Sequence, residues 1–389
     1  MHFSARTNWE TTETDLARAL RERKESGQPI YDLTASNPTH CGFTYDEAAI
    51  LSPLAAQEAL IYDPIPQGTL KAREAVSAYY RDRGATIDPA QIILTTSTSE
   101  AYSYLFRLLC DPGDEVLIAQ PSYPLFDFLA ALDDVKLTPY ALFYDHGWHL
   151  DIEAVRQRIT PRSRVIALVH PNNPTGHFTR ANERAQLETL CAEHNLALVI
   201  DEVFLDYAFD PKQGKSFAAG PHPALTFVLS GLSKIAALPQ MKAAWITALG
   251  PGEALHQSLA RLEIITDTFL SMNAPIQHAL PYWLEHRHAM QQQISKRTAK
   301  NLHFLDAALA GQSMITRLEV EAGWYAILRI PAIRPDEETA IDLIRKEGIS
   351  THPGYFFGFS GNGWLVVSLL TPENDFQTGL NALIRMYNG

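Results

Sequence analysis

Residues 164–176 read RVIALVHPNNPTG, an uninterrupted apolar run that ends in turn-forming proline and asparagine residues. Runs of this kind are typical of strands buried on both faces of a parallel sheet. Similar runs alternate with segments long enough for helices between residues 90 and 250. The predicted strands are Gln91–Thr96, Glu115–Ala119, Lys136–Leu142, Arg164–Val169, Ala197–Ile200, Thr226–Leu229 and Ala244–Leu249. This alternation predicts an α/β fold with a mostly parallel seven-stranded sheet sandwiched by helices.

The pattern changes after the last of these strands. Residues 254–312 have helical periodicity, and shorter predicted strands at Trp324–Ile330 and Trp364–Leu369 then alternate with helices at 336–347 and 373–387. A region that mixes short strands and helices in this way predicts a second, smaller α+β domain.

The N-terminal region has a sequence pattern that is separate from the large sheet and is not that of a linker. Residues Thr12–Glu25 form an amphipathic helical pattern, which we expect to pack on the small domain. Both termini would then contribute to one domain. The predicted division is an N-terminal arm with part of the small domain at 1–40, the large domain at 41–275 and the small C-terminal domain at 276–389.

Charge and composition restrict the possible functions. The 389 residues carry 32 basic and 44 acidic side chains, a net charge of -12, which argues against general binding to nucleic-acid phosphates. Cys41, Cys110 and Cys191 lack the spacing of a disulfide framework or a zinc site, so no metal site is predicted. No apolar run approaches the ~20 residues of a membrane span. We expect a soluble, cytoplasmic protein without nucleic-acid or membrane partners.

Polar residues follow the first two predicted strands, at the edge where ligands of open α/β sheets bind. Ser97, Thr98 and Ser99 open a helix, whose N-terminal N–H groups can bind a phosphate, although an ordinary N-cap would have the same residues. Tyr123 follows the next strand between two prolines. Its ring could stack on a planar ligand or close the sheet edge.

Three later strands end in an amide, a carboxylate and a lysine. Asn173 lies in HPNNPTG, Asp201 follows ALVI, and Lys234 ends SGLSK. A carboxylate at the end of a buried strand needs a cationic partner or a metal. Together with the anion site and the aromatic ring, these residues favour a planar phosphorylated aldehyde, held as a Schiff base on Lys234. Asp201 would keep a ring nitrogen of this aldehyde protonated.

The order and spacing of these motifs resemble the fold-type-I pyridoxal-phosphate-dependent aminotransferases of class I/II, over nearly the whole chain. The matching motifs are LTASNPT (33–39), YDPIPQGTLKAREAV (62–76), ILTTSTSEA (93–101), DPGDEVLIAQPSYP (111–124), HPNNPTG (170–176), VIDEVF (199–204), SGLSKIAALPQMKAAW (230–245) and LVVSLLTPE (365–373). The resemblance implies pyridoxal 5'-phosphate as the cofactor and a homodimer with a shared active site.

The resemblance also implies roles for individual residues. Lys234 would form the Schiff base and carry the proton, and Asp201 would pair with the pyridine nitrogen as the second catalytic residue. Asn173 would donate to the cofactor's O3', and Tyr62 would reach the phosphate of the other subunit. The full set of predicted cofactor contacts is Ser97, Thr98, Ser99, Tyr123, Asn173, Asp201, Phe204, Ser230, Ser233, Lys234, Lys242 and Tyr62.

Three of these positions depart from the family pattern. Ser97 replaces a glycine of the phosphate site, and Lys242 replaces an arginine, which keeps the charge but loses the bidentate fork. Phe204 replaces a tyrosine. Asn173 would then contact O3' alone, unless Tyr207 or another hydroxyl reaches the cofactor.

The largest departure concerns the substrate. The arginine with which the family binds the substrate's α-carboxylate falls at Val366, two residues before Ser368. Three explanations are open: a shifted alignment, another cation such as Arg329, His352 or a partner residue in place of the arginine, or a substrate without an ordinary α-carboxylate there.

Further substrate contacts are predicted at Asn37, His352 and Tyr355. The last two belong to HPGYFFGF (352–359), where the family brings small-domain residues over the substrate. The aromatic residues of this segment line an apolar pocket or belong to the core.

The predicted function is transfer of an amino group from an amino acid or amine to a 2-oxo acid, through Lys234 and a pyridoxamine intermediate. A lyase, decarboxylase or racemase of the same fold remains an alternative, because the cofactor supplies the chemistry and the protein selects the bond that breaks. A pyridoxal-phosphate-binding regulatory domain is the third possibility.

Overall fold

The computed structural model describes residues 1–388. Its strands are β1 Tyr31–Asp32, β2 Ile92–Thr95, β3 Glu115–Gln120, β4 Lys136–Tyr144, β5 Trp148–Leu150, β6 Ser163–Val169, β7 Ala197–Asp201, β8 Thr226–Gly231, β9 Ala244–Leu249, β10 Thr316–Arg317, β11 Tyr325–Arg329, β12 Ile349–Ser350, β13 His352–Pro353 and β14 Trp364–Ser368. All the strands predicted from the sequence are present, with ends shifted by a few residues.

The helices cover both faces of the large sheet and fill the C-terminal third. They are α1 Asp15–Glu25, α2 Glu47–Leu51, α3 Leu70–Arg81, α4 Thr98–Leu109, α5 Phe126–Leu132, α6 Ile152–Arg158, α7 Ala181–His194, α8 Leu232–Ile235, α9 Gly252–Phe269, α10 Ala274–Glu285, α11 His288–Leu309, α12 Asp336–Asp342 and α13 Glu373–Asn388. Among residues 1–388, no helix has the length and apolar character required to cross a membrane.

The large sheet has the strand order β2-β9-β8-β7-β6-β3-β4-β5. Strands β4, β3, β6, β7 and β8 pair in parallel, and β9 runs antiparallel between β8 and β2. The sheet is therefore mostly parallel, as predicted. Adjacent residues on β7 and β8 belong to different apolar clusters, since Ile200 and Val228 contribute to one and Val199 and Phe227 to the other. Burial on both faces explains the uninterrupted apolar runs.

The sheet has eight strands, so the predicted number of seven was wrong. The additional strand β5 forms an antiparallel hairpin with the end of β4, where Tyr144 pairs with Trp148. A strand of only three residues gives too short a pattern to identify from the sequence. The hairpin turn uses His146 and Gly147, both with positive φ angles.

The small domain contains a second sheet with the order β10-β11-β14-β13, and β1 from the N-terminal region pairs in parallel with β12. Helix α1 packs against α12 and the helical turn at Leu343–Glu347. The guanidinium of Arg23 donates from Nη1 to the backbone oxygen of Arg345 at 3.1 Å. The N-terminal segment is thus held against C-terminal elements.

Residues 318–324, which we call the strap, run across the large domain before β11 begins. The Glu321 N–H donates to the Gly176 oxygen at 3.2 Å, and the Glu321 carboxylate pairs with Arg180 at 2.7 Å. Gly176 has a φ of +69°, and a Cβ there would lie 2.4 Å from the Ala322 oxygen. Glycine is therefore required at the end of HPNNPTG, because the strap passes directly over it.

Candidate active site

A cavity of about 290 Å³ lies at the carboxyl ends of the parallel strands, beside the small domain. Most of the residues predicted to contact a cofactor line it, although they come from widely separated parts of the chain. Those residues are Ser97, Thr98, Ser99, Tyr123, Asn173, Asp201, Phe204, Ser233, Lys234 and Lys242.

One end of the cavity combines a helix N-terminus with a cation. Ser97 is the N-cap of α4, and its hydroxyl accepts a hydrogen bond from the Glu100 N–H at 3.1 Å. The next N–H groups of α4 belong to Thr98 and Ser99, which line the cavity. Lys242 lines the same cavity and has a left-handed conformation with φ +53°. Unpaired N–H groups at a helix start, together with a lysine, form a site suited to a phosphate.

Asp201 is the last residue of β7 and is buried. Its Oδ1 accepts a hydrogen bond from the Val203 N–H at 3.1 Å. Burial raises the pKa of Asp201 to about 7, while this hydrogen bond and the charge of Lys234 oppose the rise. The carboxylate therefore favours a cationic partner in the cavity.

Lys234 lies in the short helix α8, directly after β8. Burial lowers the pKa of Lys234, and the nearby Asp201 opposes this effect. The Nζ atom lies 5.1 Å from the ring centroid of Trp324, at the end of the strap, and 5.8 Å from that of Phe204. A lowered pKa increases the fraction of neutral amine, which is the nucleophilic form.

Tyr207 does not supply the hydroxyl that Phe204 lacks. Its hydroxyl donates to the backbone oxygen of Lys234 at 2.5 Å, and the side chain is buried outside the cavity lining. Tyr207 therefore stabilises helix α8, which carries Lys234, from outside the cavity. The ring of Phe204 packs edge-on against Trp324, with centroids 5.3 Å apart.

Asn173 and Ser230 each carry a buried polar atom without a partner among the described residues. The Oδ1 atom of Asn173 is unpaired, and Asn173 lines the cavity next to Asp201 and Tyr123. Ser230 is fully buried at the end of β8 with an unpaired Oγ, but it does not line the cavity.

The burial of Tyr123 raises its pKa to about 12, so its hydroxyl stays protonated.

Tyr62, Asn37 and Tyr355 lie outside the cavity lining. Tyr62 is 80% exposed and lines a separate cavity of about 550 Å³. The side chain of Asn37 caps a short helical turn by accepting from the Thr39 N–H at 3.1 Å. Tyr355 is half-exposed, and its hydroxyl donates to Glu337 at 3.3 Å.

Val366 and His352 pair with each other across strands β14 and β13. Val366 also pairs with Ile327 of β11 and has no exposed surface. Burial lowers the pKa of His352. Val366, where the family has its carboxylate-binding arginine, is thus part of an apolar sheet face. Neither Val366 nor His352 lines the cavity.

The sequence analysis missed three polar residues that line the cavity, Thr96, Ser36 and Tyr325. Thr96 follows β2, whereas Ser36 and Tyr325 come from the small-domain side. Ser36 precedes the predicted residue Asn37 in LTASNPT, and Tyr325 begins β11, so each lay within a recognised segment. Their approach to the cavity depends on the packing of the two domains, which a local pattern does not record. Within residues 1–388, no group of three or more His, Cys, Asp or Glu side chains forms a metal site.

Comparison with known proteins agrees with this geometry. The family described as "Aminotransferase class I and II" matches residues 47–383. The chain belongs to this family and is an aminotransferase, and membership implies pyridoxal phosphate as the cofactor.

Named relatives span almost the whole chain. The chain is 23% identical over 380 residues to the glutamate-pyruvate aminotransferase AlaA of Escherichia coli, covering 95% of this chain and 94% of the relative. It is 25% identical over 366 residues to the alanine aminotransferase of Mycobacterium tuberculosis, covering 92% and 85%. The solved alanine aminotransferase of Pyrococcus furiosus has a TM-score of 0.90, with 22% identity and complete coverage of both chains. This structural likeness shows the fold.

The raised pKa of Asp201 predicts a pH-dependent cost in stability for the cofactor-free protein. Because the folded pKa of about 7 exceeds the ordinary 3.8, the folded state holds the proton longer, and stability falls as the pH rises between these values. We expect Asp201→Asn to raise the free energy of unfolding at pH 8 by on the order of 3 kcal/mol, with no gain near pH 4. Urea unfolding at both pH values measures the difference.

Glu115→Gln provides a control of opposite sign. Hydrogen bonds from Thr160 and Lys136 lower the pKa of Glu115, so its contribution to stability is present above the ordinary pKa and is lost in acid. This variant should lose stability at pH 8. Equal or lower stability of Asp201→Asn than of the wild type at pH 8 would contradict the expected cost of the buried carboxylate.

Proposed function

We propose that the protein binds pyridoxal 5'-phosphate in the cavity and transfers an amino group from an amino acid or amine to a 2-oxo acid. When bound, this group supplies an aldehyde for covalent attachment and a ring that accepts electrons from the bond that breaks. The observation that carries the proposal is the convergence of Lys234, Asp201 and the α4 N-terminus on one cavity.

The residues present fit this cofactor in four respects. The N–H groups at the start of α4, with Lys242, suit the phosphate. The buried Asp201 suits a protonated pyridine nitrogen, which would remove the cost of burying an unpaired carboxylate. Asn173 lines the cavity, and its side-chain N–H group would donate to the phenolic oxygen. Tyr123 would contact the ring face, as in the resemblance noted from the sequence.

The chain's own residues then have distinct tasks. Lys234 would hold the cofactor covalently through Nζ, and the same amine, when free, would carry a proton to and from the reacting carbon. Its lowered pKa makes the neutral amine available for both tasks. The Asp201 carboxylate orients the ring and favours its protonated form. Trp324 and Phe204 cover the lysine and exclude water from it.

The proposed active enzyme is a homodimer in which Tyr62 reaches the partner's phosphate site. Leu60, Ile61 and Tyr62 are consecutive and exposed by 89%, 66% and 80%, respectively. They border the cavity of about 550 Å³, whose lining also includes Leu270 and Met272. A run of exposed apolar side chains beside a groove supports a protein–protein interface.

The remaining assignments follow from the proposed enzyme. Residues 1–40 and 276–389 would form the arm and small domain, and 41–275 the large domain; the pairing of β1 with β12 supports the union of the two termini. The cytoplasm is the proposed location. Substrates would be small molecules, without nucleic-acid partners.

Lys234→Ala tests the proposed chemistry. We expect the wild type to bind pyridoxal phosphate with a visible absorption band, and an accepted amino donor to bleach that band. The variant should show neither effect, and transfer to a 2-oxo acid should slow by about a thousandfold or more, because the nucleophile and proton carrier are lost.

Lys300→Ala is the matched control, because Lys300 is an exposed lysine paired with Glu373 on the surface. It should keep the band and the rate. Release of ammonia or carbon dioxide by the wild type, without amino transfer, would favour a lyase or decarboxylase instead. A wild-type protein without any band would refute the cofactor assignment.

Tyr62→Phe tests the shared active site. Sedimentation should give a dimer for both wild type and variant, while the dissociation constant for pyridoxal phosphate rises about tenfold through loss of one hydrogen bond to a charged group. Tyr282→Phe, an exposed tyrosine stacked on His286, is the control and should leave this constant unchanged. A monomeric wild type would contradict the proposal.

A further inference from the structure

The positive charge in the cavity is concentrated on cofactor-binding positions. Among the described residues, the basic side chains that line it are Lys234 and Lys242. In the proposed function Lys234 attaches the cofactor and Lys242 binds its phosphate, so neither remains for a second anionic group. Within this chain, a carboxylate on the substrate therefore has only neutral donors or a more distant cation to bind it.

Three other basic residues of the C-terminal region, Arg329, Arg297 and His352, are poorly suited to this role. Arg329 donates from Nη1 to the Asn362 oxygen at 2.7 Å, and its guanidinium lies 4.1 Å from the ring centroid of Trp364. Arg297 donates to the Cys41 oxygen at 3.1 Å. Burial lowers the pKa of His352, which disfavours its cationic form. None of these side chains lines the cavity.

The small-domain wall of the cavity instead presents two hydroxyl groups. On strands β11 and β14, Tyr325, Ile327 and Val366 share one face, because Ile327 pairs with Val366 and Tyr325 lies two residues before Ile327. Ile327 and Val366 are buried in the apolar core, whereas Tyr325 lines the cavity. Ser36 is the other small-domain residue in the lining.

Strand β14 fixes the position of Ser36. The Ser368 N–H donates to the Leu33 oxygen at 2.6 Å, and the Ser368 hydroxyl donates to the Ala35 oxygen at 2.5 Å. These bonds hold the segment just before Ser36 against the sheet. Burial raises the pKa of Tyr325 to about 12, and the nearby Ser36 side chain opposes this rise. Tyr325 thus remains a protonated hydrogen-bond donor beside Ser36.

We propose that the hydroxyl groups of Ser36 and Tyr325 bind the carboxylate shared by the amino donor and the 2-oxo acceptor. This inference rests on the proposed function and names two specificity-determining residues of the same site. Two hydroxyls can donate to one carboxylate, and such bonds are strengthened by its charge. Because the two hydroxyls carry no charge, they bind a carboxylate more weakly than an arginine fork would. An amine donor without a carboxylate therefore loses little binding free energy relative to an amino acid.

The test uses the dimer loaded with pyridoxal phosphate. Propionate, which has the carboxylate of alanine but no amino group, is titrated while the visible band is followed. We expect Tyr325→Phe and Ser36→Ala each to raise the dissociation constant of propionate by roughly tenfold. The same variants should lower kcat/KM for alanine by a similar factor through KM, and should change kcat/KM for ethylamine by less than twofold.

Tyr387→Phe, a tyrosine on α13 outside the cavity lining, is the control and should leave every constant within twofold. An unchanged dissociation constant for propionate in both site variants would overturn the assignment, as would an equal loss for alanine and ethylamine. The visible band and the rate of the wild type show whether the proposed function holds, independently of the carboxylate assignment. An enzyme that has the band and transfers amino groups, but whose variants bind propionate normally, refutes only the carboxylate site.

Discussion

The burial of Asp201 beside Lys234 is the constraint on which the site depends. A carboxylate at the end of a buried strand is costly, and the lysine that partly compensates for it is itself destabilised as a cation by the same burial. The buried carboxylate therefore favours a protonated ring nitrogen in the cavity between the sheet and the small domain. The neutral amine of the lysine favours an aldehyde in the same cavity. The cofactor proposed for this cavity would relieve both costs.

The rest of the structure maintains this arrangement. Strands β7 and β8 bring the carboxylate and the lysine to one edge, and two apolar clusters fix these strands from both faces. The strap then places Trp324 next to the Lys234 amine, held by the bond between Glu321 and the oxygen of Gly176. The small domain thus covers the lysine as well as supplying the wall that carries Tyr325.

Much of this architecture could be predicted from the sequence, because long apolar runs and the polar residues that follow them are local signals. These signals located the strands and most of the cavity lining, including Asn173 and Asp201. The hairpin strand β5 was missed because three residues give no reliable period. Ser36 and Tyr325 were missed because their positions depend on long-range contacts, such as the bond from Ser368 to the Ala35 oxygen. The family resemblance drew attention to Val366 instead, which the structure places in the apolar core.

The most direct test of the account is the location of the covalent attachment. The protein loaded with pyridoxal phosphate is reduced with borohydride and digested, and the modified peptide is identified by mass spectrometry. The account predicts one stable adduct, on the lysine of SGLSK, Lys234, with Asp201→Asn lowering its yield because the ring loses its charged partner. An adduct confined to another lysine, or no adduct in a folded protein, would contradict the account.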